Sequence, residues 1–119
     1  MATPFTHRNL KELEDSAVEH GLAPNLEARF ARKALESERS GLSYQRLASN
    51  FSQPFGHRHG DQEETYVIVD GSGTMVVDGT RLEVGHGDVI VNRAGGSHGL
   101  ENTGTEPLRL VVLDVPLER

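Results

Sequence analysis

The chain has 119 residues, with twelve Lys and Arg against eighteen Asp and Glu, six His, thirteen Gly, and no Cys or Trp. That length suits one domain with a core of its own, and the lack of Cys excludes a disulfide scaffold, a thiolate metal site and a cysteine nucleophile together. A net charge of −6 without a basic stripe argues against nucleic acid as a partner; apolar runs such as 67–69 and 110–113 are too short to span a bilayer; and the start Met1-Ala2-Thr3-Pro4-Phe5 lacks a secretory signal, so the expectation is a soluble cytoplasmic domain.

Residues 1–25 read as an N-terminal segment with a short helix at most. Within 9–20, Leu10, Leu13, Ala17 and Val18 fall on one side, Thr6 or Asn9 can cap the start, and Gly21 ends it. Residues 26–38 carry two patterns. Their residue types favour helix, with Leu26, Phe30 and Ala34 at helical spacing, yet Ala28 and Phe30 also alternate with Glu27, Arg29 and Arg32 in a partly strand-like way.

From Gly41 onward the chain reads as β. Residues 42–47 alternate around Tyr44, 65–69 form a β-branched and aromatic run, and Gly71-Ser72-Gly73 reads as a turn. Residues 74–77 and 80–84 flank Asp78-Gly79, the strongest short hairpin signal. Residues 85–87 turn into a strand at 88–91, 94–96 turn toward His98, and 108–115 form a last apolar strand. Short strands separated by Gly-rich turns predict an all-β sandwich or barrel.

Three of the histidines fall in this β half. His57-Arg58-His59 sets two imidazoles two residues apart, so on a strand both point to one face, about 7 Å apart. Glu64 opens the 65–69 strand, and His98 begins another strand-like stretch. Three His and one Glu converging from three strands would make a compact centre with open positions. On the residues alone, an H-x-H pair is more often two polar side chains at the surface than a pair of ligands.

The stretch from His57 to Gly71 resembles the first cupin motif, H-x-H-x4-E-x6-G, and that from Gly87 to Asn102 resembles the second, G-x5-P-x-G-x2-H-x3-N. They occur in order, separated by residues 72–86, and together they cover nearly half the chain from Phe51 to Asn102. Two positions depart from the pattern. Phe51 stands where the first motif begins with Gly, and Arg93 where the second has Pro, which places a long cation at that turn.

The resemblance implies an all-β fold: a cupin-type jelly-roll β-barrel over residues 26–119 behind a short helical or irregular segment, with 26–35 strand rather than helix. It implies that His57, His59, Glu64 and His98 hold one divalent metal ion (Fe, Mn, Ni or Zn). Glu63 competes for the carboxylate role, but the spacing to Gly71 and the parity of Glu64 with Tyr66 and Ile68 favour Glu64. Tyr44 and Arg46 share one strand face and Gln45 takes the other; one set lines the lumen, and Tyr66 joins it as wall or general acid. The ligand implied is a small oxygenated molecule. The activity is that of a metal-dependent dioxygenase, isomerase or lyase, or else non-catalytic binding and sensing. Small cupins commonly pair, so a homodimer through 26–35 or 42–47 is expected.

Overall fold

Alternating apolar and polar residues, rich in Val, Leu and Ile, build the described part of the chain into strands with one wet and one dry face. The computed structural model describes residues 4–53, 57–58 and 60–117, the side chains of His57 and Arg58 excepted. A 3-10 turn (Leu10–Glu12) and α1 (Ser16–Glu19) lead into β1 (Leu26–Phe30), α2 (Arg32–Leu35) and β2 (Gly41–Leu47). Then follow β3 (His57–Arg58), β4 (Gln62–Asp70), β5 (Ser72–Val77), β6 (Thr80–Gly85), β7 (Val89–Asn92), β8 (Ser97–Glu101) and β9 (Leu108–Pro116).

These strands form two antiparallel sheets with the order β1-β2-β9-β4-β7 and β3-β8-β5-β6, a jelly-roll β fold. The first sheet turns Leu26, Leu47, Tyr66, Ile68, Leu108, Leu110 and Val112 inward; the second answers with Met75, Val84 and Leu100. Burial of these side chains supplies the main driving force for closing one sheet on the other.

Asp78 (φ 47) and Gly79 (φ 83) both take the left-handed conformation that a tight two-residue hairpin needs, and Val77 pairs with Thr80 across it. The turn expected over 71–73 is confined to Gly71; Ser72 and Gly73 already belong to β5. Gly73 is glycine for another reason: a Cβ there would run into the Glu101 carbonyl oxygen and the Leu108 side chain.

Residues 26–35 divide between their two patterns. Leu26 and Ala28 bury against the core and pair with Leu47 and Gln45, so the strand wins as far as Phe30. Beyond the Ala31 N–H bond to the Leu42 carbonyl, the helix formers take a single α turn, which Glu36 ends in the left-handed region (φ 56). The helix expected within 9–20 is likewise broken into two turns. Asp15 interrupts it by accepting from the N–H of Ala17 at 3.0 Å and that of Ala28 at 2.9 Å, which starts α1 and ties it to β1. Among the described residues no helix is long and apolar enough to cross a membrane.

Candidate metal centre

Strand register places one polar row on the inner face of the five-stranded sheet. Gly41 of β2 lies opposite Asp114 of β9, Asp114 opposite Glu64 of β4, and Glu64 opposite Asn92 of β7. The facing sheet contributes His98 from β8, whose inward parity it shares with Leu100. His98 Nε2 stands 2.7 Å from Glu64 Oε1, and the two residues are only 3% and 8% exposed. An acid and an imidazole from opposite sheets thus meet inside the barrel.

Of the other two histidines of the motifs, His57 lies on β3 directly opposite His98 in the ladder, and its side chain is not described. His59 lies outside the described residues. Among the described residues no group of three or more His, Cys, Asp or Glu side chains is arranged to hold a metal ion. The surroundings of the pair nevertheless suit a cation. On either side of Glu64, the buried atoms Asn92 Oδ1 and Asp114 Oδ1 have no hydrogen-bond partner, while the Asn92 amide donates to the Met75 sulfur at 3.6 Å. Buried oxygen lone pairs beside a carboxylate and an imidazole form the mixed O and N donor set that Fe, Mn, Ni and Zn accept.

The row also shapes its own acidity. Burial, and then the hydrogen bond and charge of Glu64, push the Asp114 carboxyl up to about 7, against the pull of His98 and Arg32. Burial, and then the charges of Glu64 and Asp114, push the Tyr66 phenol up as well, so that it remains a protonated donor across the physiological range. Its ring meets the His98 ring edge-on, with centroids 5.6 Å apart and planes at 87°.

Tyr66 is hydrogen-bonded to Gln53, which donates from Nε2 to Gln45 Oε1 at 3.0 Å and accepts from the Leu100 N–H at 2.9 Å. Gln45 and Tyr66 are therefore joined inside the barrel. Tyr44 and Arg46 occupy the other face of β2. Tyr44 accepts from Arg109 Nη1 at 2.7 Å, and Arg46 Nε lies 3.1 Å from Glu27. Burial alone would raise the Glu27 carboxyl, but Arg29 and Arg46 outweigh it and hold it below the usual range.

The two motif departures fall at a turn and beside the core. Arg93 is exposed at the turn closed by the Gly96 N–H on its carbonyl, and Phe51 packs against the core. Three inner residues escape the sequence reading. Asp114 carried a usable signal, since it shares parity with Leu108, Leu110 and Val112. Asn92 lies one residue past the expected strand, and Gln53 sits in a connection without periodicity.

Two antiparallel sheets closed around a buried acid–imidazole pair define a jelly-roll barrel with a polar lumen. The chain belongs to the cupin domain family, which it matches over residues 44–115. Its fold is similar to that of a cupin protein from Bacteroides fragilis, with a TM-score of 0.80 at 20% identity over 99% of this chain and 92% of that one. A predicted oxalate decarboxylase from Thermotoga maritima is similar at TM-score 0.70 and 26% identity, over 77% and 81% of the two chains. An uncharacterized protein of Methanocaldococcus jannaschii is 37% identical over 60 residues, a match that covers 50% of this chain and 48% of that relative. The match thus spans about half the length of that relative.

Proposed function

We propose that this chain is a metal-binding cupin in which Glu64 and His98, with His57 and His59, hold one divalent ion that receives a small oxygenated molecule. The observation that carries this reading is the buried Glu64–His98 contact at 2.7 Å, set between two partnerless oxygens. A bound divalent ion with open positions supplies a Lewis acid for a carbonyl or enolate oxygen. The chain's own residues then set the ligand's orientation. Tyr66, kept protonated, donates to a ligand oxygen, and Gln53 and Gln45 hold the phenol in place. The reaction classes this arrangement supports are dioxygenase, isomerase and lyase chemistry, since fold and ligands alone do not select among them.

A non-catalytic binding or sensing role is the second reading. It is favoured by Tyr66, whose raised phenol stays protonated at neutral pH and so serves as a donor and not as a base. Metal analysis of the purified chain, followed by reconstitution with Mn, Fe, Ni and Zn, tests the first proposal. About one ion per chain is expected in the wild type, with most of it lost in His98→Ala. A wild type that takes up no stoichiometric metal on reconstitution overturns it.

The homodimer also belongs to this proposal, with a second copy covering the outer face of the five-stranded sheet. Two rows run without a charge across four of its strands, Val91–Thr65–Leu113–Leu42 and Val89–Val67–Val111–Tyr44, the second meeting Arg29 on β1. Val89 is 64% exposed and Val115 is 40% exposed on the same face. A flat uncharged patch of this kind is self-complementary about a two-fold axis. Sedimentation of the wild type as a dimer and of Val89→Lys as a monomer supports it; a monomeric wild type rejects it.

A further inference from the structure

A cavity of about 320 Å³ lies on the outer face of the five-stranded sheet, walled by the Leu10–Glu12 turn. Its floor comes from two outward rows, Glu27–Arg46–Arg109 and Arg29–Tyr44–Val111, read across β1, β2 and β9. The second row continues to Val67 and Val89, so the cavity stands where the uncharged stretch of that face ends. The turn is held in place from both ends: the Lys11 N–H donates to Asn9 Oδ1 at 2.9 Å, and Arg29 Nη1 donates to the Leu13 carbonyl.

Three cations line the cavity, Lys11, Arg29 and Arg109, against one carboxylate, Glu27. Glu27 is matched by Arg29 at 2.6 Å and Arg46 at 3.1 Å, and Arg109 by Tyr44 at 2.7 Å and Asp70 at 4.0 Å. That leaves Lys11, which is exposed and has no side-chain partner among the described residues. Tyr44 is the second unspent group. Its oxygen accepts from Arg109, and its own hydroxyl proton has no acceptor among the described residues. Donation into that oxygen polarises the O–H bond and strengthens it as a donor.

A free ammonium beside an unspent hydroxyl proton calls for an anion with acceptor oxygens. The rest of the lining is apolar: the Leu10 side chain, the Tyr44 ring, and the hydrocarbon stems of the three cations. The volume holds roughly ten non-hydrogen atoms at the ~30 Å³ that each water occupies in the liquid. Elsewhere the charges are already taken. A hollow of about 460 Å³ over the four-stranded sheet carries the Arg81–Glu101 pair. One of about 170 Å³ beside Asp114 carries Arg32, which donates to the Glu38 carbonyl, and Arg39, which is also engaged.

We propose that the 320 Å³ cavity is a second binding site, outside the barrel lumen, for a small carboxylic acid with an apolar body. The carboxylate lies between the Lys11 ammonium and the Tyr44 hydroxyl, and the body packs on Leu10 and the Tyr44 ring. Glu64 and His98 lie inside the barrel, on the other side of the sheet, so the site works with or without a metal there.

Titration calorimetry of the full chain with phenylacetate, phenylacetamide, acetate and inorganic phosphate tests the site, once in EDTA and once with Mn²⁺. Phenylacetate is expected to bind best, and equally in both media. Loss of its charge in phenylacetamide weakens binding about fivefold, and loss of its ring in acetate weakens it about tenfold or more. Tyr44→Phe loses about tenfold for phenylacetate, and Lys11→Gln about threefold. Lys11 is exposed and Tyr44→Phe keeps the ring, so unchanged melting of both variants separates lost binding from lost folding. Phenylacetamide binding as tightly as phenylacetate, unchanged phenylacetate binding in both variants, or no phenylacetate binding by the wild type overturns the inference. Phenylacetate binding that vanishes in EDTA and returns with Mn²⁺ places the ligand in the lumen and overturns it as well. Inorganic phosphate that binds more tightly than phenylacetate and depends on Lys11 overturns the carboxylate assignment.

Discussion

Glu64 and His98 come from different sheets and meet at 2.7 Å in the barrel interior, so a single contact closes the lumen between β4 and β8. Removing one partner leaves the other buried without its complement, whereas removing both leaves an apolar gap that packing can fill. Glu64→Ala is therefore expected to lower stability by about 3 kcal/mol, and Glu64→Met combined with His98→Leu to recover most of that loss. Urea unfolding of Glu64→Ala, of the singles Glu64→Met and His98→Leu, and of their double provides the measurement. A double variant as unstable as the sum of the singles removes the coupling.

An ion bound only by the folded chain, as proposed above, would link occupancy to stability. Mn²⁺ at about 100 times its dissociation constant is expected to stabilise the wild type by about 2.7 kcal/mol, a rise of several degrees in Tm. In Glu64→Ala the same addition is expected to shift nothing. Scanning calorimetry with and without EDTA checks it, and an equal shift in both chains would assign the ion to some other site.

Asn102, at the end of the second motif, is buried and has a different job. Its amide donates to the carbonyls of Leu47 at 3.0 Å and Glu106 at 2.9 Å, while its Oδ1 accepts from the Gly104 N–H at 3.0 Å. Asn102→Ala strands these groups and is expected to cost about 3 kcal/mol. The denaturant midpoint should fall with the m-value unchanged, and affinity for added metal should stay at the wild-type level. A large loss of metal affinity would instead make Asn102 part of the centre.

Glu27 supplies an acid-sensitive element on the outer face. Its carboxyl is held below the usual value by Arg29 and Arg46, overcoming the effect of burial. The stability it contributes is complete above the unfolded value of about 4.3 and is lost as pH falls through the lower folded value. Below about pH 4.3 the wild type is thus expected to lose Tm more steeply than Glu27→Gln. Parallel curves through that range would show that the two arginines do not act on Glu27 in solution.

Local pattern carries the strands and the one tight hairpin well, and the register between strands distant in sequence not at all. The Asp78-Gly79 hairpin, the inward parity of Glu64, Tyr66 and Ile68, and the last apolar strand are all visible from nearest neighbours along the chain. Alternation in β2 also separates Gln45 from Tyr44 and Arg46, but it cannot say which side is dry; that is decided by β9, which sets Leu110 beside Gln45. The row of Gly41, Asp114, Glu64 and Asn92 draws on four strands, so no window of sequence contains it. Residues 26–35 escape a uniform assignment for a related reason. Their helical composition yields to strand pairing only where Leu26 and Ala28 find buried partners on β2.

The family match begins at residue 44, yet Phe30, Arg32, Arg39 and Ser43, which line a cavity beside Asp114, all precede it. Glu64 and His98 fall inside it. The lining of that cavity thus lies partly outside the matched region, and it can vary independently of the acid–imidazole pair. Relatives sharing the acid–imidazole pair need not share this cavity, and exchanging residues 26–43 between two such barrels should carry its lining along while leaving the pair in place.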